Sequence, residues 1–333
     1  MEKVRFLSRA ENYPEAPERV EAKETHMSWV FLTTTQAFKL KKPVRTKFLD
    51  YSTLEARRYT VEEEVRLNRR LAPGVYQGVV PLTVDPNGQL QFDGRGEVVD
   101  WLVKMSRLRS ERMLDHAIAT RSVTAEDTRR IGEVLASFYR SASAVEMSFA
   151  DYRAALEAEV QANRSELSAR ADDRLLVERV DQIAVAQLGF LVSQREMFDG
   201  RVAAGRVVEG HGDLRPEHIS VETPPVVIDC LEFSKSLRTL DAASELTFLW
   251  LECERLGAPE IGRTIFDTYC RASGDSPPPA LIRFYKSWHA CVRAKVAVWH
   301  LNDHGLNHPE KWISKAADYL RLAWSNLPFD ARP

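Results

Sequence analysis

The pattern of apolar residues changes near residue 105, from the alternation typical of strands to the spacing typical of helices. Before this point, SWVFLTTTQAFKLKKPV predicts two strands around a turn at residues 33–36. YQGVVPLTVDPNGQLQFDG predicts a hairpin turned at DPNG, and EVVDWLVKM predicts one further strand. The first third of the chain is therefore expected to be rich in strands.

One helix interrupts these strands, and helices dominate after them. STLEARRYTVEEEVRLNRRLA predicts a helix with Ser52 as its N-cap and Glu55 completing a capping box. Thr124 is the predicted N-cap of the helix in TAEDTRRIGEVLASFYRSA. We therefore predict an α+β fold in which residues 1–105 form a small β-rich N-lobe and residues 106–333 form a larger, mostly helical C-lobe.

Composition narrows the class of protein. The net charge is -2, so the chain lacks the excess of basic residues that would indicate a nucleic acid or an anionic membrane as its partner. The sequence has no apolar run long enough to span a bilayer, and its first residues lack the apolar core of a signal peptide. The four cysteines form no CxxC pair, which argues against a zinc clip or a redox motif. Cys253 and Cys291 lie in helix-like sequence, which predicts buried thiols and a reducing, cytoplasmic location. None of these features predicts an oligomeric state.

The densest polar stretch is HGDLRPEHISVETPPVVIDCLEF, which begins at His211. It holds Asp213 and Asp229, each beside a short strand-like piece, so an intervening hairpin would bring the two carboxylates together. One carboxylate can orient or deprotonate a hydroxyl, while the other can hold a divalent metal on nucleotide phosphates. Phosphoryl transfer needs this division of labour, and magnesium prefers one or two carboxylates together with waters and phosphates.

Several stretches of the sequence, and the order in which they occur, resemble the aminoglycoside-phosphotransferase-like branch of the protein-kinase-like fold. The resemblance is closer still to a bacterial phosphotransferase-like family within that branch. The matching pieces are THMSWVFL, AFKLKKPV, FLDYSTLEARR, EEEVRLNRRLAP, HGDLRPEH and VIDCLEF. The similarity as a whole spans most of residues 24–300. The resemblance implies a bilobal fold that binds ATP between its lobes, with a catalytic loop at residues 211–218 and a metal segment at residues 226–233.

The resemblance also implies roles for the two aspartates and for a basic strand. Asp213 matches the catalytic aspartate that positions the acceptor hydroxyl, and Asp229 matches the aspartate that holds the metal. Lys39 matches the strand lysine that contacts nucleotide phosphates. Lys41 is a rival on the same strand face, whereas alternation points Lys42 the other way.

Further positions follow from the same resemblance. Glu64 is the predicted helix carboxylate that pairs with the lysine, with Glu62 and Glu63 as competitors. Met105 to Leu108 would form the hinge beside the adenine. The supporting positions are His211, expected to orient the loop through backbone carbonyls, Arg215 in the loop, and Asp241, expected to cap a helix and brace the catalytic loop.

Two departures from the family pattern bear on the metal and on the phosphates. His218 stands where a typical member has asparagine as a second metal ligand, and imidazole suits manganese or zinc better than magnesium. His218 itself, Glu217 or Glu232 could complete the metal site, or a single metal could bind. The first glycine is Gly74, so the turns near residues 25–37, where a phosphate-binding loop would lie, contain none.

The sequence therefore predicts an ATP-dependent phosphotransferase that uses Mg²⁺, or Mn²⁺, and phosphorylates a hydroxyl of a small molecule. The acceptor is expected against the helical lobe, near residues 150–205 and 280–303. Two alternatives stay open: a nucleotide-binding pseudokinase, which His218 and the glycine-free turns favour, and transfer of AMP on the same fold.

Overall fold

A computed structural model of the chain describes residues 2–45, 49–169, 174–302 and 309–327. The strands are β1 (Glu21–Glu24), β2 (Ser28–Leu32), β3 (Gln36–Lys41), β4 (Tyr76–Val84), β5 (Leu90–Phe92), β6 (Glu97–Ser106), β7 (Val207–Glu209), β8 (Ile219–Ser220), β9 (Val226–Val227) and β10 (Thr239–Asp241). The helices are α1 (Glu2–Leu7), α2 (Leu54–Asn68), α3 (Leu114–Ala119), α4 (Ala125–Ser141), α5 (Phe149–Ser168), α6 (Arg174–Ser193), α7 (Arg195–Ala203), α8 (Ala242–Arg255), α9 (Pro259–Ser273), α10 (Pro279–Trp299) and α11 (Pro309–Ser325).

The chain divides into two compact units, each made of segments that are not continuous in the sequence. The first unit comprises Met1–Thr120, His211–Asp213 and Glu217–Arg238, and the second comprises the remaining segments, Arg121–Gly210, Leu214–Pro216 and Thr239–Pro333. The long sheet lies in the first unit and the longest helices lie in the second, so the predicted α+β class is confirmed. The lobe boundary at residue 105 stays a prediction.

An antiparallel sheet in the order β1-β2-β3-β6-β4-β5 forms the centre of the first unit. The predicted hairpin joins β2 to β3, and its turn is closed by Thr33, whose hydroxyl accepts from the Gln36 amide at 3.0 Å. Along β3, Phe38 and Leu40 enter an apolar cluster with Leu7 of α1. The alternate residues of β3 therefore face the other side of the sheet.

Helix α2 packs on that other side, against β4 and β6. The predicted N-cap, Ser52, is wrong by one residue: the cap is Thr53, whose hydroxyl accepts from the Ala56 amide at 3.1 Å. The reason is local competition, because both the amide and the hydroxyl of Ser52 donate to the Asp50 carboxylate. No capping box therefore forms between Ser52 and Glu55.

The second unit is built from α4 to α11 with the short antiparallel pair β7 and β10. Thr124 caps α4 as predicted and forms a reciprocal capping box with Asp127. One apolar core gathers Phe190, Phe198 and Phe284 from three helices. In the described ranges, no helix is long and apolar enough to cross a membrane.

Candidate active site

The hairpin of β8 and β9 brings the two predicted aspartates of the first unit to one place. Ile219 pairs with Val227, and the Ile228 amide donates to the His218 carbonyl at 2.9 Å. This register puts His218 between the carboxylates: Nε2 lies 3.5 Å from Oδ2 of Asp229, and Nδ1 lies 3.8 Å from Oδ2 of Asp213. The spacing of the two aspartates in the sequence predicts such a hairpin.

The orientation of the His218 ring follows from its hydrogen bond to the loop. Nδ1 donates to the Asp213 carbonyl at 2.8 Å, so this nitrogen carries a proton. Nε2 lies 3.5 Å from Oδ2 of Asp229 and could bind a metal ion in the tautomer that leaves this nitrogen unprotonated. This nitrogen and a carboxylate oxygen together offer two metal-ligating atoms on one side of the hairpin.

His211 joins the catalytic loop to the metal segment through backbone groups. Its fully buried ring donates from Nε2 to the Ile228 carbonyl at 2.9 Å and accepts at Nδ1 from the Asp213 amide at 3.3 Å. A single neutral tautomer satisfies both bonds. Burial, followed by the nearby His218, lowers the pKa of His211 to about 4, so the ring is neutral near pH 7.

The backbone of Asp229 adopts a left-handed conformation with φ 61°, which is uncommon for a residue other than glycine. Two distant side chains hold it there. The Asp229 amide donates to the Tyr76 hydroxyl at 3.1 Å, and the next amide, of Cys230, donates to Oδ1 of Asn68 at 2.9 Å. The Asp229 side chain is 45% exposed, so a ligand can reach it.

A chain of alternating charges runs from Asp229 into the interior of the first unit. Nζ of Lys39 lies 2.7 Å from Oδ1 of Asp229 and 2.8 Å from Oε1 of Glu64. Nζ of Lys41 lies 2.6 Å from Oε2 of Glu64 and 2.5 Å from Oε1 of Glu232. The fully buried Glu64 carboxylate therefore binds both lysines, one at each oxygen.

These contacts shift the pKa values of three of the groups. Burial alone would lower the pKa of Lys39, but the Asp229 and Glu64 carboxylates outweigh it and raise that pKa well above its usual value. Burial would raise the pKa of Asp229, yet Lys39 and then His218 hold it far below its usual value. Burial opposes ionisation of Glu232 as well, but Lys41 lowers the pKa of this carboxyl. All three groups are therefore charged at neutral pH.

Exposure distinguishes the two rival lysines of β3. Both face the same side of the sheet, in keeping with their alternation, and the adjacent Lys42 binds Glu24 instead. The Lys39 side chain is 14% exposed and contacts the accessible carboxylate of Asp229, whereas the Lys41 side chain is 2% exposed. Lys39 is therefore the better placed of the two to meet a ligand from solution.

The predicted hinge residues lie beside the same elements. Met105 and Leu108 pack against an apolar cluster that contains Val61 of α2 and Val103 of β6, and Ile228 of the metal segment joins it. The hinge also holds the β2–β3 turn, since the backbone amide of residue 107 donates to the carbonyl of residue 35 at 2.8 Å. An apolar surface is thus present next to the charged cluster.

The two remaining predicted positions belong to the second unit. Arg215 is half-buried in the loop that follows Asp213. Asp241 caps α8, accepting from the Ala243 amide at 2.9 Å, and its carboxylate forms a buried ion pair with Arg201 at 2.7 Å. The helix-capping contact expected of Asp241 is present, and its support of the catalytic loop stays a prediction.

Three residues at this site were not singled out as functional from the sequence. Tyr76 and Asn68 hold the metal segment from 153 and 162 residues away, and Tyr51 donates to Glu232 at 3.0 Å. Contacts over such separations leave no local pattern in the sequence. The available signal was weak: Asn68 lies one helical turn after Glu64, on the same face of α2.

The side chains at this site could supply part, but not all, of a metal coordination sphere. Among the residues that the structure describes, no group of three or more histidines, cysteines, aspartates and glutamates is arranged to hold a metal ion. Asp229, whose side chain is 45% exposed, and the largely buried His218, at 9%, offer two donor atoms next to each other. This donor set fits a divalent cation that takes its remaining ligands from waters and phosphates, as magnesium and manganese do in nucleotide sites.

No known protein-family profile matches the chain. Curated relatives include uncharacterized proteins of Mycobacterium tuberculosis and Mycobacterium bovis, each 34% identical over 279 residues. These matches cover 83% of this chain and 54% of each relative. The chain thus spans about half the length of the curated relatives that it matches.

Solved structures similar to this chain include small-molecule kinases and phosphotransferases. A choline/ethanolamine kinase family protein from Mesorhizobium loti has a TM-score of 0.54 at 17% identity, covering 100% of this chain and 99% of its own. Choline kinase from Cryptosporidium parvum has a TM-score of 0.55 at 11% identity, covering 99% of both chains. The GDP complex of aminoglycoside 2'-phosphotransferase-IIIa has a TM-score of 0.50 at 13% identity, covering 93% of both chains. The predicted resemblance is therefore confirmed in the fold: the chain has the protein-kinase-like fold of choline kinases and aminoglycoside phosphotransferases.

Proposed function

We propose that the chain is an ATP-dependent phosphotransferase that transfers the terminal phosphoryl group of ATP to a hydroxyl of a small molecule. One observation carries the proposal: Lys39, Glu64, Asp229, His218 and Asp213 form one continuous cluster in the first unit. The cluster combines a lysine for phosphates, a carboxylate for a metal and a second carboxylate for a hydroxyl. Phosphoryl transfer depends mainly on positioning and charge neutralisation by such groups.

The lysine and the hinge would hold the nucleotide. Lys39 would bind the phosphates while Glu64 keeps its ammonium group in place at 2.8 Å. Met105 and Leu108, with Ile228 beside them, offer an apolar surface for the adenine. Nucleotide use is supported by the GDP complex of the aminoglycoside phosphotransferase that shares this fold.

The two aspartates would divide the remaining work. Asp229, assisted by Nε2 of His218, would hold Mg²⁺ or Mn²⁺, and a cation there supplies positive charge that offsets the charge of the phosphates. Asp213 would orient the acceptor hydroxyl and accept its proton, as a general base within reach of the phosphates does. Its side chain is 29% exposed, which leaves its carboxylate accessible to an acceptor.

Calorimetric titration of ATP, with Mg²⁺, with Mn²⁺ and without metal, tests the proposal. Wild type is expected to bind ATP at least about 10-fold more tightly with metal, and Asp229→Ala is expected to lose this gain. Asp267→Ala is the matched control, because Asp267 is a helix carboxylate of similar exposure, 49% against 45%, in the second unit. It should behave as wild type.

The outcomes separate the alternatives. Metal-independent binding that survives Asp229→Ala would favour a nucleotide-binding protein without transfer activity. Absence of ATP binding by folded wild-type protein would contradict the proposal outright. Where metal-dependent binding is found, mass spectrometry of products from an acceptor screen distinguishes addition of a phosphoryl group from addition of AMP.

A further inference from the structure

We propose that Lys41 and Glu232 are a positioning pair that fixes the metal segment against β3 and so sets the direction of the Asp229 carboxylate. Their effect on nucleotide binding rests on the proposed function, whereas their effect on the backbone does not. Neither residue is required to touch a ligand. The argument follows from burial, from the division of contacts between two lysines, and from the backbone around Asp229.

Lys41 and Glu232 are enclosed by the first unit. Their side chains are 2% and 8% exposed, and Nζ of Lys41 lies 2.5 Å from Oε1 of Glu232. The same glutamate oxygen accepts from the Tyr51 hydroxyl at 3.0 Å. An ammonium group and a hydroxyl thus already bind this oxygen. Glu232 is therefore placed to make structural contacts within the protein, whereas the exposed Asp229 is accessible to a ligand.

Each of the two lysines binds a different oxygen of the Glu64 carboxylate. Lys39 binds one oxygen and extends to Asp229, while Lys41 binds the other oxygen and extends to Glu232. When phosphates draw Lys39 away from Asp229, Lys41 would still neutralise the buried Glu64. A second lysine therefore lets the first exchange partners without leaving an unpaired charge in the interior.

The C-terminal end of the metal segment needs a contact that fixes its position. Its amides are held one after another: Asp229 by Tyr76, Cys230 by Asn68, and Leu231 by the His211 carbonyl at 2.9 Å. Glu232 follows directly, and its side chain reaches β3 through Lys41. Because a left-handed backbone is unfavourable for a residue other than glycine, the contacts around Asp229 must stabilise it.

Stability alone gives little reason for this ion pair. Burying two charges removes their favourable hydration, and an apolar pair of similar volume often stabilises a fold equally well. Charged partners, however, accept only a few mutual geometries, because both need hydrogen bonds in the right directions. Glu232 lies three residues after Asp229, so a restricted geometry at its ion pair with Lys41 would orient the metal ligand.

Hydrogen exchange of the ligand-free protein tests the positioning role directly. Glu232→Gln keeps an oxygen for Lys41 and Tyr51 but removes the charge, and it should speed exchange of the amides of residues 229–231 about 10-fold. Lys42→Met is the matched control, because Lys42 is adjacent in sequence but binds Glu24. It should leave these amides unchanged, and α9 of the second unit should exchange at the wild-type rate in both variants.

Tyr51→Phe provides a milder variant in case Glu232→Gln does not fold. It removes one of the two bonds to Glu232 and should speed exchange of the same amides to a smaller extent. Unchanged exchange in folded Glu232→Gln, or in Tyr51→Phe where that is the variant measured, would overturn the proposal. So would faster exchange spread evenly over both units, because that result indicates global destabilisation.

ATP titration of the same variants adds a functional readout. In Glu232→Gln, the gain in ATP affinity on adding Mn²⁺ should fall about 10-fold, while affinity without metal should change less than about 3-fold. An undiminished gain would contradict the positioning role. If wild type itself bound no ATP, the proposed function would fail, and hydrogen exchange would still decide whether the pair fixes the segment.

Discussion

Nζ of Lys39 lies 2.7 Å from Oδ1 of Asp229, although 190 residues of sequence separate the two. The same ammonium group lies 2.8 Å from Glu64. In the proposed function, nucleotide phosphates and a metal ion would replace this ion pair, with Lys39 turning to the phosphates and the cation taking its place at Asp229. The pair therefore predicts which of the lysines in β3 governs ATP binding.

Lys39→Met is expected to weaken ATP binding in the presence of Mg²⁺ by about 10-fold to 100-fold. The change removes a charge-assisted contact to phosphate, and such contacts are worth roughly 1.5–3 kcal/mol. Glu64 keeps Lys41 as its partner, so the variant should fold. Calorimetric titration gives the dissociation constant, and circular dichroism verifies the fold.

Lys42→Met serves as the control, since Lys42 binds Glu24 on the opposite side of β3. It should bind ATP as wild type does. If Lys39→Met bound ATP normally while a folded Lys41→Met did not, the phosphate contact would belong to Lys41, and the assignment based on exposure would be wrong.

The sequence predicted those parts of the fold that depend on local pattern. Alternation along β3 placed Lys39 and Lys41 on one face and Lys42 on the other, because side chains alternate along a strand. The spacing of Asp213 and Asp229, with a strand-like piece beside each, predicted the hairpin of β8 and β9. Both features follow from the short-range geometry of the backbone.

Features that depend on distant partners could not be predicted in the same way. Nothing near Tyr76 in sequence indicates that its hydroxyl accepts from the Asp229 amide. The N-cap of α2 was also not predicted correctly, although the contacts involved are local. The Ser52 hydroxyl donates to Asp50, so Thr53 caps the helix instead. When neighbouring side chains have similar capping propensities, contacts present only in the folded structure decide which of them caps the helix.

His218→Asn is expected to shift metal preference toward magnesium. An amide oxygen replaces an imidazole nitrogen beside Asp229, and oxygen ligands suit Mg²⁺ whereas imidazole favours Mn²⁺. The asparagine amide can still donate to the Asp213 carbonyl, as His218 does. The ratio of ATP dissociation constants measured with Mg²⁺ and with Mn²⁺ should fall about 10-fold relative to wild type.

An unchanged ratio in this variant would show that His218 does not ligate the metal. His116→Asn provides the comparison, because His116 is an exposed histidine of α3 in the same unit. Its substitution should leave the ratio at the wild-type value.

Acid is expected to destabilise the protein through His211. The folded protein holds the pKa of this ring at about 4, below its ordinary value near 6.5, so only the unfolded chain takes up this proton between these values. The free energy of unfolding should therefore fall as pH drops from about 6.5 to about 4, by on the order of 3 kcal/mol from this group. Above pH 6.5 the contribution should be constant.

Urea unfolding measured at several pH values between 4 and 7 tests this expectation. In His211→Gln the side chain does not titrate, yet its amide can still donate to the Ile228 carbonyl. The slope of unfolding free energy against pH should be smaller in the variant. Equal slopes would show that other groups, and not His211, cause the acid sensitivity.

Gly212→Ala is expected to cost more stability than Gly88→Ala, because the two glycines share a positive φ but differ in their surroundings. Their φ angles are 91° and 79°, so alanine pays a similar conformational cost of about 1 kcal/mol at each site. At Gly88 an added Cβ meets nothing within 4 Å, whereas at Gly212 it meets Cβ of Leu231 at 2.8 Å and Cβ of Arg238 at 3.0 Å.

Relieving those contacts requires movement of the metal segment, which Leu231 belongs to, so Gly212→Ala should lose about 2–4 kcal/mol in urea unfolding. Gly88→Ala should lose only the conformational part. Hydrogen exchange should locate the difference, with faster exchange at the Leu231 amide in Gly212→Ala and wild-type exchange there in Gly88→Ala. Equal losses of stability in the two variants would mean that the catalytic loop yields to the added methyl group, and that Gly212 is required for its backbone conformation alone.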